Sequence, residues 1–270
     1  MADLDVERLL GLAVDLARDA GALLLDGTHR SRTDVDTKSS RTDMVTEMDR
    51  ASEASIVAGL RSARPQDAIL GEEGTASAGT SGLRWVIDPL DGTTNYLYGF
   101  PSFAVSIAAE LDGRGVVGVV HDPLHSETFT AVAGRGARRN GQPLRVGGAT
   151  DLATALVGTG FAYQADRRAG QAAVLTRVLP EVRDVRRAGA AALDLCWLAC
   201  GRLDAFYEQG LAPWDSAAGS LVAGEAGAWV RPRPGAGDGL PDDLVVACDP
   251  GLTDAFVTLL ARAHAGPGLS

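Results

Sequence analysis

The sequence predicts a mixed α/β protein in two parts, an α+β half followed by an α/β half, packed as one compact unit. Three observations carry this. Apolar residues near the start recur at three- and four-residue steps, the middle of the chain carries apolar runs cut by turns, and the last third alternates strand-like with helix-like segments. The change of pattern divides the chain at residues 1–148 and 149–270, with no linker or internal repeat between the two parts.

Leu9, Leu10, Ala13, Leu16, Ala20, Leu23 and Leu24 predict an opening amphipathic helix. "GTHRSRTDVDTKSSRTD" has little apolar content and reads as a mobile loop. A second helix is expected from near Val45, closed by Pro65, and "AILGEE" reads as a short strand ending in two acids. A polar loop from Gly74 to Gly82 leads into the strand "RWVID". From Ser102 to Val146, turns at "DGRG", "HDPLHSE" and "RNGQP" predict an antiparallel meander. The second part reads as strand "ALVGTG", helix "QAAVLTRVL", strand "VRDVRR", helix "ALDLCWLACG", strand "DAFYE" and helix "DSAAGSLVAGEAG". A strand near Trp229, a surface loop "RPRPGAGDGLPDD", strand "LVVAC" and a helix from Asp254 follow.

Composition excludes several classes of function. A net charge of −10 argues against a nucleic-acid partner, because such binding is driven by basic side chains neutralising phosphates. A small phosphorylated substrate stays compatible, since a bound divalent cation reverses the local field. Three cysteines without framework spacing do not make a disulfide scaffold, and Cys196 and Cys200 read as buried residues of a helix. Asp3, Asp5 and Glu7 stand where a signal peptide needs basic residues, and no apolar run reaches membrane-spanning length, so a cytoplasmic location without membrane contact is expected. Lys38 is the single lysine among 25 Lys and Arg residues, which reads either as a random exposed residue or as one kept for a task.

The acids at strand ends hold the chemistry: Glu72 and Glu73, Asp88 and Asp91 in "WVIDPLDGTTNYLYGF", and Asp215 in "PWDSAAG". Open α/β sheets collect ligands at such places. A magnesium reading needs hard oxygen ligands, with Asp88 shared between two ions, one also held by Glu72 and the other by Asp91 and Asp215. Gly92 lets backbone approach a ligand, and Thr93 could orient an attacking water. Each acid also has a plainer reading: Asp215 as a helix N-cap, Asp91 as an Asx-turn residue, Glu72–Glu73 as a solvated strand end. His121 and His125 in "HDPLH" read as a hairpin turn rather than a zinc site, with no cysteine nearby.

"DMVTEMD", "GEE", "WVIDPLDGTTNY" and "WDSAAGSLVAGEAGA", in this order and spacing, resemble the signature set of the inositol monophosphatase family, and "RRAGAAALDLCWLACGRLDAFYEQGLAPWD" is similar to its bacterial branch. The resemblance implies a layered α-β-α-β-α sandwich and magnesium-dependent hydrolysis of phosphate monoesters. It implies that Glu72, Asp88 and the Leu90 carbonyl hold one magnesium, that Asp88, Asp91 and Asp215 hold a second, and that a third, looser one sits near Glu72. Glu72 and Thr93 would activate the water, with Asp49 supporting Thr93. Phosphate would rest on the Gly92 and Thr93 amides. Asp91, Glu208 and the Gly189–Ala190–Ala191 backbone would face polyol hydroxyls, with Arg186 also on the substrate side and Lys38 in a loop over the site. Ala190 departs from the family's common serine, which removes a hydroxyl near the polyol.

The resemblance thus points to hydrolysis of myo-inositol 1-phosphate by a lithium-sensitive homodimer. Histidinol-phosphate phosphatase, fructose-1,6-bisphosphatase and nucleotide 3′-phosphatase share the metal core and form the enzymatic alternatives. A regulatory binding protein on the same fold is the non-enzymatic one; its expected mark is a lost metal ligand, and every proposed ligand is present.

Overall fold

Asp5 opens the first helix by accepting a hydrogen bond from the Arg8 amide (3.1 Å), and α1 (Val6–Gly27) buries Leu9, Ala13, Ala17, Ala20 and Leu24 along one stripe. The structure, a computed structural model, describes residues 5–28, 35–37, 44–232 and 238–266. Within the stretch read as a mobile loop, β1 (Val35–Thr37) pairs antiparallel with β2 (Met44–Thr46), which follows directly after that stretch. Lys38 lies outside the described residues. Strand β2 also displaces the start of α2 (Glu47–Ala63) past Val45.

The first sheet runs through β3 (Ala68–Gly71), β4 (Ala76–Ser77) and β5 (Leu83–Asp91). After the short helix α3 (Thr93–Tyr98) come β6 (Ala104–Leu111), β7 (Arg114–Asp122), β8 (Glu127–Val132), β9 (Ala137–Arg139) and β10 (Gln142–Pro143). Its order is β10-β9-β8-β7-β6-β5-β3-β4, antiparallel except for β3 beside β5, so the expected meander is present.

The second part supplies β11 (Leu156–Thr159), α4 (Ala165–Val178), β12 (Asp184–Arg186), α5 (Ala191–Ala199), β13 (Ala205–Gln209) and α6 (Pro213–Glu225). Strands β14 (Trp229–Val230) and β15 (Leu244–Cys248) and helix α7 (Thr253–Ala265) complete it. Its sheet has the order β12-β11-β13-β15-β14.

Four apolar clusters stack these elements. Leu9, Ala17, Ile56 and Leu60 of α1 and α2 meet Trp85, Ile87 and Ile107 on one face of the large sheet. Val86, Val120 and Phe129 on its other face meet Leu193, Cys196, Ala218 and Val222 of α5 and α6. Leu195 and Leu198 turn from α5 to Phe206, Val245 and Ala247 of the small sheet, whose far face is covered by Val174, Val178, Phe256 and Leu260 of α4 and α7. The layers therefore run α-β-α-β-α. Helix α5 is apolar nearly all round because it lies between two sheets.

The loop read from composition as surface has a buried anchor. Arg231, only 4 % exposed, donates twice to the Asp238 carboxylate at 2.7 Å and also to the carbonyls of Pro241 (2.9 Å), Leu244 (3.0 Å) and Leu240 (3.3 Å). Arg231→Met leaves that carboxylate and those carbonyls without their donor. It is expected to lower unfolding stability by about 3 kcal/mol in urea titration. A loss under about 0.5 kcal/mol, the size of an ordinary surface substitution, would show that the clasp does not hold the segment.

Candidate active site

The end of β5 decides where the acids go. In a regular strand, residues three apart point to opposite faces. Against β6, however, Asp88 pairs with Ser106 and Asp91 with Ala104, so three steps on β5 oppose two on its neighbour. This bulge inserts one residue and reverses the alternation. Leu90 thereby joins Trp85 and Ile87 in the core under α1 and α2, and Asp91 turns to the side of Asp88.

Both aspartates line a cavity of about 350 Å³ with Glu72, Leu90, Gly92, Thr93, Glu208 and Asp215. Asp88 Oδ1 accepts from the Leu90 amide (3.0 Å), and Asp91 Oδ2 from the Ala192 amide (2.8 Å), tying β5 to the start of α5. Ala212, not Asp215, holds the N-cap position of α6, so the plainer reading of Asp215 as the N-cap is corrected: it stands at the third position of the helix, where its carboxylate accepts from the Ala212 amide (2.6 Å). Gly92 has φ +90°, and a Cβ there would stand 2.8 Å from the Ser102 carbonyl, so the turn into α3 requires glycine.

Behind the cavity, the Thr93 hydroxyl lies 3.1 Å from Asp49 Oδ2 and 3.0 Å from the Leu90 carbonyl. Asp49 is one helical turn from Ser52, which donates to the Pro89 carbonyl (2.8 Å), and from Glu53. Glu53 accepts from the Glu73 amide (2.8 Å) and from the Thr75 amide and hydroxyl (3.2 and 2.6 Å), holding the turn that presents Glu72. One face of α2 thus fixes both strand ends. Asn95 donates to the carbonyls of Ser102 (2.7 Å), Ala188 (2.8 Å) and Gly189 (3.3 Å), which holds the turn before α5 against α3.

The charge is unbalanced. Burial, then repulsion from Glu72, Asp91, Asp215 and Asp49, pushes the Asp88 carboxyl well above its usual range. Burial and repulsion from Asp215, Glu208 and Glu72 do the same to Asp91, against the opposing pull of the Ala192 amide. Burial raises Glu208 to about 7, with Arg187 lowering it and Asp215 raising it. Among the described residues, no three His, Cys, Asp or Glu side chains stand together at metal-ligand spacing. The acids share one cavity without closing into a cage.

Several residues stand elsewhere than the sequence suggested. Arg186 lies outside the cavity: it is exposed and paired with Asp184 at 2.5 Å. Arg187 lines the cavity instead. In the pair "RR", Arg186 ends β12 and Arg187 begins the turn into α5, and the sequence alone does not say which of them faces the cavity. Gly189 and Ala191 line the cavity, while the buried Ala190 side chain packs toward Gly92. The roles of Glu53, Asn95 and Asp194 went unread. Asp194, 1 % exposed, has neither carboxylate oxygen hydrogen-bonded among the described residues, and burial and repulsion from Glu208 and Asp91 raise it well above its usual range. An acid inside the apolar helix "AALDLCWLA" was the available signal. His125 pairs with Asp122 at 2.7 Å and His121 Nδ1 meets Thr128 at 3.1 Å.

A five-layered sandwich with carboxylates gathered at the ends of its strands defines a class of sugar-phosphatase-like hydrolases. The inositol monophosphatase family model matches residues 5–265, and this chain belongs to that family, a family of phosphatases. An inositol-1-monophosphatase of Mycobacterium leprae is 44 % identical, covering 96 % of each chain. A Pseudomonas aeruginosa protein named Nus factor SuhB is 43 % identical over 98 % of this chain and 99 % of its own. The crystal structure of the extragenic suppressor protein suhB from Bartonella henselae superposes with a TM-score of 0.87 at 36 % identity, covering 94 % of this chain and 99 % of the other. No helix among the described residues is long and apolar enough to cross a membrane.

Proposed function

We propose that the cavity hydrolyses phosphate monoesters of small polyols, myo-inositol 1-phosphate foremost, with magnesium as cofactor. The observation that carries this reading is the burial of Asp88 in one cavity with Glu72, Asp91 and Asp215, each of which repels it. Acids so placed call for a cation, and an all-oxygen donor set suits a hard one. Glu72, Asp88, Asp91, Asp215 and the Leu90 carbonyl would hold two magnesium ions, with a third, looser one at Glu72. Bound there, magnesium would neutralise phosphoryl oxygens and lower the pKa of the attacking water.

The chain's own groups do the positioning. The Thr93 hydroxyl, held between Asp49 and the Leu90 carbonyl, orients the water, and Glu72 receives its proton. The Gly92 and Thr93 amides receive the phosphate. Glu208, near half-protonation at neutral pH, both donates to and accepts from polyol hydroxyls, beside Asp91 and the Gly189–Ala191 backbone. A homodimer working in the cytoplasm completes the reading. The name Nus factor borne by the Pseudomonas aeruginosa relative suggests a regulatory role, but a full set of acidic ligands favours the enzyme.

The test is phosphate release from myo-inositol 1-phosphate, histidinol phosphate and fructose 1,6-bisphosphate, with and without magnesium and lithium. The expected result is magnesium-dependent release, fastest from the inositol ester and inhibited by lithium. Absence of magnesium-dependent release from every ester would overturn the reading.

A further inference from the structure

Outside the cavity, two acids turn toward one point. The chain leaves the first sheet through Gly147 and Gly148 and there meets Asp204, just before β13, and Asp249, just after β15. The Asp249 amide donates to the Asp204 carbonyl (2.9 Å), which joins the two strand ends.

Only half of each carboxylate is committed. Asp204 Oδ2 accepts from the Leu156 amide and Asp249 Oδ1 from the Gly148 amide, both at 2.8 Å. The other oxygens, Asp204 Oδ1 and Asp249 Oδ2, accept nothing among the described residues, and neither acid pairs there with a basic side chain. These two oxygens converge: a Cβ on Gly147 would stand 3.5 Å from the first and 3.6 Å from the second. Asp249 is 0 % exposed, and burying a carboxylate oxygen is costly unless something positive meets it. Gly147 and Gly148 are exposed, so water reaches this turn.

We propose that Asp204 Oδ1 and Asp249 Oδ2 form a structural cation site that takes calcium and fastens the exit of the first sheet to two strand ends of the second. Calcium suits all-oxygen ligands in flexible geometry and accepts water in the rest of its shell. Two carboxylate oxygens and water make a weak site, with Kd on the order of 1 mM.

Thermal melts in chelator and in ~10 mM calcium test it. Calcium is expected to raise Tm of the wild type by about 2–3 °C more than that of Gly147→Ala or Asp249→Asn. The acids of the cavity are intact in all three proteins, so calcium bound there contributes equally and drops out of the comparison. Gly147→Ala keeps both acids and sets a methyl group near their free oxygens at ordinary contact distance, which blocks the ion without a clash. Asp249→Asn keeps an acceptor for the Gly148 amide and removes one charge, so in chelator it should melt no lower than the wild type. Crystals soaked in terbium, a calcium substitute, should show an anomalous peak between Asp204 and Asp249 that Gly147→Ala lacks. A calcium shift of one size in all three proteins, or an anomalous signal confined to Glu72, Asp88, Asp91 and Asp215, would overturn the site.

Discussion

Asp88→Asn is expected to lower kcat/KM for magnesium-dependent phosphate release by about 10³-fold or more while leaving the fold intact. Asparagine keeps an oxygen to accept from the Leu90 amide, so the bulge at the end of β5 loses no hydrogen bond. What disappears is one buried negative charge among four neighbouring acids. In chelator the variant should consequently melt higher than the wild type, because a mutual repulsion has been removed. Loss of activity with gain of metal-free stability separates a ligand from a structural aspartate, whose replacement would lower both. Near-normal turnover in the variant would contradict the assignment.

Chelation is expected to abolish activity and to leave a protein whose stability falls as pH rises from 6 to 8. The sign follows from the raised acids. A carboxyl whose folded pKa lies above its unfolded value stabilises fully below the unfolded pKa, and this contribution is lost as pH rises through the folded one. Glu208, raised from 4.5 to about 7, alone makes the protein roughly 1 kcal/mol less stable at pH 8 than at pH 6. Asp88, Asp91 and Asp194 are raised for the same reasons and act in the same direction. His121 opposes them below its ordinary 6.5, because burial and Arg18 lower it and acid must charge a histidine held neutral. Asp67 and Glu127 are lowered and lose their contribution only in stronger acid. Thermal melts at pH 6 and 8, in chelator and in magnesium, check this. Magnesium should recover more stability at pH 8, where the acids are ionised. Flat behaviour in both conditions would remove the basis for a cation site.

Much of this was legible along the chain because it depends on local spacing. The stripe from Leu9 to Leu24, the turn-cut runs from Ser102 to Val146 and the alternation after Ala149 each report which faces will be buried, and α1, the large sheet and the α4–α7 half follow them. The candidate acids were also visible, since carboxylates that close apolar runs cost desolvation unless something positive meets them. Other features depend on partners far away in sequence. Glu53 looked like one more polar residue on a helix face until the turn at Glu73–Thr75 was brought onto it. Arg231 sat in a loop that composition marks as surface, yet its donors are all taken by one carboxylate and three carbonyls.

The sequence by itself determined the kinds of elements, their order and the set of acids from which the site is made. Periodicity and desolvation cost act within a few residues, so they can be read without a fold. Only the tertiary structure decided which side each group faces: Asp91 beside Asp88 through the bulge, Asp49 behind Thr93, Arg187 inside the cavity and Arg186 outside it. A shift of one residue in strand register reverses every side chain that follows it. That register is set by pairing and packing between distant segments, which local spacing does not record.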